Sequence, residues 1–207
     1  LGDSIMAIFP GDPSDAIKAA ILMQQSIRAL NVQRAIKKLP LIYTGIGMHT
    51  GPLIMGITGD DQRLDAATIS DTVNTASRIE SLTKYFKAAL LLSKETSDCI
   101  KGDHFFNLRN LGSVRLKGKN KSLEIVECFD GADKDTFQKM SGTVHLFTKG
   151  MELFEAKEFE KSAIIFQSIF STNPEDLTAQ YFMERTRKHQ RDGVSENWSS
   201  TEEMMSK

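Results

Sequence analysis

The apolar residues of this 207-residue chain change spacing several times, and each change predicts an element. Ser4 to Phe9, SIMAIF, predicts a short apolar strand. Pro10-Gly11-Asp12-Pro13 punctuates it as a turn. Ser14 or Asp15 then caps a helix to about Lys38, with Ala16, Ala19, Ala20, Met23, Ile27, Leu30 and Val32 as its apolar stripe. Leu39-Pro40 ends that helix. Leu41 to His49 and Leu53 to Ile57 predict strands, and Thr50-Gly51-Pro52 between them predicts a hairpin. Gly59 to Ala66 predicts a polar loop. Asp71 is a good N-cap for a helix running to about Thr83, and Val73, Ala76 and Ile79 predict its buried stripe. Ala88 to Leu92 predicts a buried strand, and Ser93 caps a short helix after it. Phe105 to Leu116 and Leu123 to Phe129 predict strands flanking a turn rich in Lys and Gly.

The pattern changes after Asp130. Gly131 to Lys134 predicts a linker. Helical spacing resumes at Val144, Phe147, Met151 and Phe154, and again at Phe159, Ala163, Phe166 and Phe170. Asn173-Pro174-Glu175-Asp176 breaks it, and a third helix is expected over about Leu177 to His189. Residues 135–190 form the second expected unit, and it resembles a tetratricopeptide-like helical hairpin with the start of the next helix. Repeat stacks usually need about three units, so one unit is expected to pack on the preceding domain or on a protein partner. Arg191 to Lys207 is polar and expected to be disordered.

Composition narrows the function classes. Hydrophobic residues make up 40%, enough for a real core. The formal net charge is -1, which argues against nucleic-acid binding through bulk electrostatics. Cys99 and Cys128 show no metal-ligand spacing, so free thiols in a cytoplasmic protein are expected. No apolar run approaches the ~18 residues of a membrane span. The chain starts inside a motif, so it reads as part of a longer polypeptide, which has room for a membrane anchor elsewhere.

Asn74 and Arg78 are four apart on a predicted helix, so they project from one face. A guanidinium forks onto phosphate oxygens, and an amide fixes a hydroxyl or ring oxygen. The same pair also suits a plain solvated helix face. The neighbouring segments add weight. Gly2-Asp3-Ser4-Ile5-Met6-Ala7-Ile8-Phe9 lies upstream. Gly45-Ile46-Gly47-Met48-His49-Thr50-Gly51-Pro52 and Gly56-Ile57-Thr58-Gly59 follow, and Leu116-Lys117-Gly118-Lys119 comes after the helix. Together, over Leu1 to about Phe129, these segments resemble the class III nucleotidyl cyclase catalytic domain.

The resemblance implies an α/β fold: a cyclase-type, ferredoxin-like, antiparallel-rich sheet with packed helices, here followed by the C-terminal helical hairpin. It implies domains at 1–130, 135–190 and a tail at 191–207. The implied reaction is attack of the ribose 3′-oxygen of ATP on the α-phosphate, giving cyclic AMP and pyrophosphate. GTP is the alternative substrate. A catalytically degenerate regulatory or dimerisation module, and a scaffold acting through the helices, are the alternative functions. By resemblance, Asp3 matches a carboxylate that holds one of two Mg²⁺ or Mn²⁺ ions, Asn74 orients the ribose, Arg78 stabilises the pentavalent phosphate and Lys117 meets the terminal phosphates. Ala67 falls at a purine-reading position, where its methyl group has no donor or acceptor. His49 is expected to be structural. A homodimer with active sites at its interface is implied. The family's other metal carboxylate and a purine-reading lysine lie upstream of the Gly-Asp motif, so this chain alone is expected to be inactive.

Overall fold

The computed structural model describes residues 4–60, 63–102, 105–116 and 121–204, with 55–69 described by backbone alone. In chain order the elements are α1 (Pro13–Ile36), β1 (Ile46–Met48), β2 (Ile54–Asp60), β3 (Arg63–Ile69), α2 (Asp71–Phe86), β4 (Leu90–Ser93), α3 (Lys94–Asp98), β5 (Leu108–Arg115), β6 (Leu123–Cys128), α4 (Lys134–Glu155), α5 (Phe159–Thr172), α6 (Leu177–Asp192) and β7 (Glu202–Glu203). Five strands form one sheet in the order β1-β4-β6-β5-β7. Its central pairings are antiparallel, and β1 with β4 and β5 with β7 are parallel. Strands β2 and β3 form a separate antiparallel hairpin.

Alternation along β4 builds a layer on each side of the sheet. Leu90 and Leu92 join Val126 and Cys128 against Ile17 and Ala20 of α1. Leu91 points the other way, joining Leu111, Val114 and Ile125 in a core with Ile79, Leu82 and Phe86 of α2. That second core also takes Phe147 of α4, Phe166 of α5 and Phe182 of α6. The Phe86 and Phe166 rings both stack on Phe182, at 6.0 and 5.5 Å between centroids. Each fully buried Phe contributes roughly 1.5–3 kcal/mol by leaving water. The helices after Asp130 therefore share one core with the sheet.

Several elements depart from the sequence pattern. Helix α1 is capped by Asp12, whose carboxylate accepts from Ser14 N–H at 2.8 Å with Pro13 at the first turn. Its buried stripe is Ser14, Ile17, Ala20 and Gln24, and Met23, Leu30 and Val32 are exposed because the sheet covers only the first half of the helix. The second half instead binds the chain that follows. Asn31 donates to Ile42 C=O and accepts from Ile42 N–H, Arg34 donates to Pro40 C=O, and Gln24 donates to Thr44 C=O. These contacts take backbone groups that a strand ladder would need, so the strand expected from Leu41 shrinks to Ile46–Met48. Among the described residues no strand pairs with Ser4–Phe9, which is in neither helix nor strand and leaves Ile5 85% exposed.

The hairpin expected across Thr50-Gly51-Pro52 does not form. Pro52 C=O accepts from the hydroxyls of Ser70 and Thr72, at 2.8 and 2.7 Å, which carries this segment to the start of α2. The actual hairpin joins β2 and β3, where a polar loop was expected. Its residues alternate poorly in polarity, so the period-2 signal is faint. The tail also differs. Helix α6 runs to Asp192, and Trp198 packs on Phe154, Phe159 and His189 at 5.4–5.5 Å between ring centroids. One large aromatic gives a polar segment an anchor. Three helices stop at lysines with positive φ: Lys38 after α1, Lys87 at α2 and Lys157 after α4.

Candidate active site

Helix α2 carries the two described candidates. Ser70, not Asp71, is its N-cap: the Ser70 hydroxyl accepts from Thr72 N–H at 3.0 Å. The helix continues to Phe86, and its buried residues are Thr75, Ile79, Leu82, Thr83 and Phe86. Val73 and Ala76 are only half-buried, because the core lies to one side of the predicted stripe. Asn74 and Arg78 are both exposed and share a flank of the helix.

The placement of α2 depends on close contact with β1. A Cβ on Gly47 would stand 2.0 Å from Glu80 N and 2.6 Å from Ala76 C=O, so only glycine lets the strand lie against that helix backbone. Thr75 binds the first turn inward, donating to Asp71 C=O at 2.8 Å. The exposed amide and guanidinium thus stand on a helix fixed at its start, along its buried face and at its packed end. That rigidity is what positioned phosphate chemistry needs.

The remaining candidates are placed only in part. The position of Ala67 is opposite Gly56 on the β2–β3 hairpin, and its side chain lies outside the described residues. Asp3 and Lys117 also lie outside them. In sequence, Lys117 falls between the end of β5 at Arg115 and the start of β6 at Leu123. His49 is hydrogen-bonded through Nδ1 to Ser93 Oγ at 2.8 Å, and Ser93 caps α3. Among the described residues no three His, Cys, Asp or Glu side chains stand together as a metal site.

Sequence reasoning missed a buried charge cluster beside this machinery. Arg109 of β5 donates through Nε to Glu127 of β6 at 2.6 Å. Its other two nitrogens fork onto Asp176, at 2.7 and 2.8 Å. The guanidinium also lies 4.2 Å from the Phe147 ring centre. Burial works against the Arg109 cation, but Glu127 and Asp176 outweigh it and raise its pKa. Two carboxylates share one cation, and burial pushes the Glu127 carboxyl above its ordinary value. Asp176 also caps α6, accepting from Ala179 N–H at 2.9 Å. One signal was readable: Arg109 and Leu111 have the same parity on β5 and are both buried.

Burial also pushes the Cys128 thiol up, and among the described residues both cysteines are free. No helix among the described residues is long and apolar enough to cross a membrane.

Residues 1–128 match the adenylate and guanylate cyclase catalytic domain. The chain is 31% identical over 192 residues to the terminal-differentiation-specific adenylate cyclase of Dictyostelium discoideum, covering 89% of this chain and 9% of that protein. It is 40% identical over 133 residues to an adenylate cyclase of Anabaena cylindrica, covering 61% of this chain and 26% of that one. Among solved structures, a bacterial light-regulated adenylyl cyclase matches with a TM-score of 0.55 at 28% identity, covering 67% of this chain and 40% of that one. The chain therefore spans less than half of each of these relatives.

Proposed function

Because the chain belongs to the adenylate and guanylate cyclase catalytic-domain family, we propose that it serves a nucleotidyl cyclase that converts ATP to cyclic AMP and pyrophosphate for signalling. The observation that carries this reading is the exposure of Asn74 and Arg78 on one flank of the clamped helix α2. Attack by the ribose 3′-oxygen puts growing negative charge on the α-phosphoryl oxygens. Arg78 meets that charge, and Asn74 holds the ribose so that attack is in line with the departing pyrophosphate. Lys117 takes the terminal phosphates, and Ala67 leaves the purine edge unread at its position. Asp3 is the carboxylate assigned to a divalent ion, Mg²⁺ or Mn²⁺.

ATP is favoured over GTP because the reported relatives carry adenylate cyclase names. Two copies pairing to complete each site is part of the same proposal. Its support is the family resemblance and the apolar side chains exposed at Leu22, Met23, Leu30, Val32 and Ile36. Residues 135–190 act as a tetratricopeptide-like unit docked on the catalytic unit 1–130, with any protein partner meeting its outer surface. A cytoplasmic site of action follows from the ATP substrate and from free thiols.

The test is cyclic nucleotide production by the full-length protein with ATP or GTP, and with Mg²⁺ or Mn²⁺. Cyclic AMP formation that collapses in Arg78→Ala is the expected result. Undiminished turnover in Arg78→Ala would overturn the assignment.

A further inference from the structure

Helix α2 has a second flank whose last residue, Tyr85, meets β7. Asn74, Arg78, Ser81 and Tyr85 follow one another at spacings of four, three and four, so they line one flank of α2. From Asn74 to Tyr85 that flank is about 16 Å long at 1.5 Å per residue. The first two residues are the proposed substrate contacts. Tyr85, the last, donates its hydroxyl to Glu202. Glu202 is also paired with Arg185 of α6. Arg185 donates to Ser200 C=O as well, at 3.2 Å. The Tyr85 ring packs on Tyr181 of α6 at 5.1 Å between centroids.

The next residue contacts the end of β5. Glu203 accepts from Arg115 at 2.7 Å, and Met204 N–H donates to Arg115 C=O at 3.1 Å. Arg115 ends β5 and lies two residues before Lys117. Two adjacent carboxylates of one short strand therefore hold the end of α2 and the end of β5. The segment is pinned at its other end by Trp198 in its aromatic cluster. Between them the strap and α6 bound a cleft of about 740 Å³ lined by Tyr85, Tyr181, Arg185, Trp198 and Glu202 among others.

We propose that Glu202, acting through Tyr85, is a positioning residue for the cyclase reaction: it fixes the rotation of α2 about its axis and so the reach of Arg78. The inference rests on the reading of Asn74 and Arg78 as substrate contacts. The lever is short and stiff. With side chains about 5–6 Å from the helix axis, a rotation of about 10° moves a side-chain tip by about 1 Å. A displacement of about 1 Å can cost on the order of a hundredfold in rate. Burial and then Glu202 push the Tyr85 hydroxyl up to about 12, so it remains a donor at neutral pH. Glu202 is 21% exposed at its side chain, against 59% for Glu203, so the Tyr85 contact is the better shielded of the two.

The experiment uses the full-length protein with Tyr85→Phe, Glu202→Ala, the double variant and Glu202→Gln, with Arg78→Ala as reference. Tyr85→Phe removes one oxygen and keeps the ring packing. We expect each of the first two to lower kcat about tenfold with KM for ATP unchanged, at a fraction of the loss given by a full misplacement. The double variant falls no further than the worse single, because both cut the same link. Glu202→Gln keeps an acceptor for the Tyr85 hydroxyl and restores most of kcat. The proposal is overturned by wild-type kcat in Tyr85→Phe, by effects that multiply in the double variant, or by losses wholly explained by unfolding at the assay temperature. If Arg78→Ala collapses turnover while Tyr85→Phe does not, the strap idea alone fails. If Arg78→Ala leaves turnover intact, the substrate-contact reading fails and takes this inference with it.

Discussion

Arg109 and Arg78 stand in adjacent layers of one fold and meet opposite surroundings. The Arg109 side chain is 2% exposed and spends its donors on Glu127 and Asp176. Arg78 is exposed on the flank of α2. Both sit on elements packed in the same core. A guanidinium buried among protein carboxylates holds structure together, and no substrate can reach it. A guanidinium exposed on the flank of a rigid helix stands where a ligand can reach it. Burial, more than residue type, separates the two uses.

Arg109→Ala is the sharpest way to test the first half of that contrast. It leaves Glu127 and Asp176 buried together without their cation, at an expected cost of about 3–5 kcal/mol. Denaturant unfolding of the full-length protein should show that loss, and a change within about 0.5 kcal/mol would mean that water reaches the cluster. The second half predicts the converse for Arg78→Ala. Its kcat should fall about 100- to 1000-fold, as for loss of one transition-state donor, with the unfolding midpoint almost unmoved. A raised KM with unchanged kcat would make Arg78 a ground-state binder only.

A milder change tests whether the exposed arginine depends on packing at all. Gly47→Ala forces a methyl group onto the α2 backbone and should cost about 1–3 kcal/mol. If α2 shifts as a body, kcat falls at temperatures where the variant is still folded. Full activity in folded Gly47→Ala protein would uncouple the Arg78 position from the β1–α2 contact.

The smallest expected effect concerns the strap. Burial, with Arg185 next, holds the His189 imidazole below its ordinary value, against Glu202 and Asp192 and together with Lys188. The folded state therefore prefers the neutral ring. This contribution is complete above the unfolded value of about 6.5 and is lost as pH falls from there toward the lower folded value. Trp198 is the chain's single tryptophan and touches His189, so its emission should shift over that window. The same titration in His189→Phe should be flat, and a flat wild-type profile would remove His189 from the account.

Local signals in the sequence were read well where local forces decide. Ser93 caps α3, and the helical spacings of Phe147, Phe154, Phe159 and Phe166 place those rings in or against the core. Asn74 and Arg78 share a flank because four residues nearly complete a helical turn. The larger misses are long-range. Nothing near Leu41 says that Asn31 will take the backbone groups of Ile42. Nothing near Arg109 says that Asp176, 67 residues on, will meet it. The cap is Ser70 rather than Asp71: its hydroxyl accepts from Thr72 N–H, two residues on, and also donates to Pro52 C=O, 18 residues away. The strap was hidden for a similar reason: Glu202 and Glu203 look like solvated charges until α2, α6 and β5 bring Tyr85, Arg185 and Arg115 to them.

The three lysines that end helices leave the chain with unused room for stabilisation. At Lys38, Lys87 and Lys157 the backbone takes φ of 54°, 59° and 61°. A side chain with a Cβ pays about 1–2 kcal/mol to sit in that left-handed region. The lysine charge near a helix C-terminus returns only about 0.3–1 kcal/mol. Glycine would hold each turn without the steric cost, though it loses more freedom on folding. The fold thus tolerates strain at three helix ends; Lys38 and Lys157 end helices other than the one that carries Asn74 and Arg78, and there sturdier variants can arise without altering the chemistry.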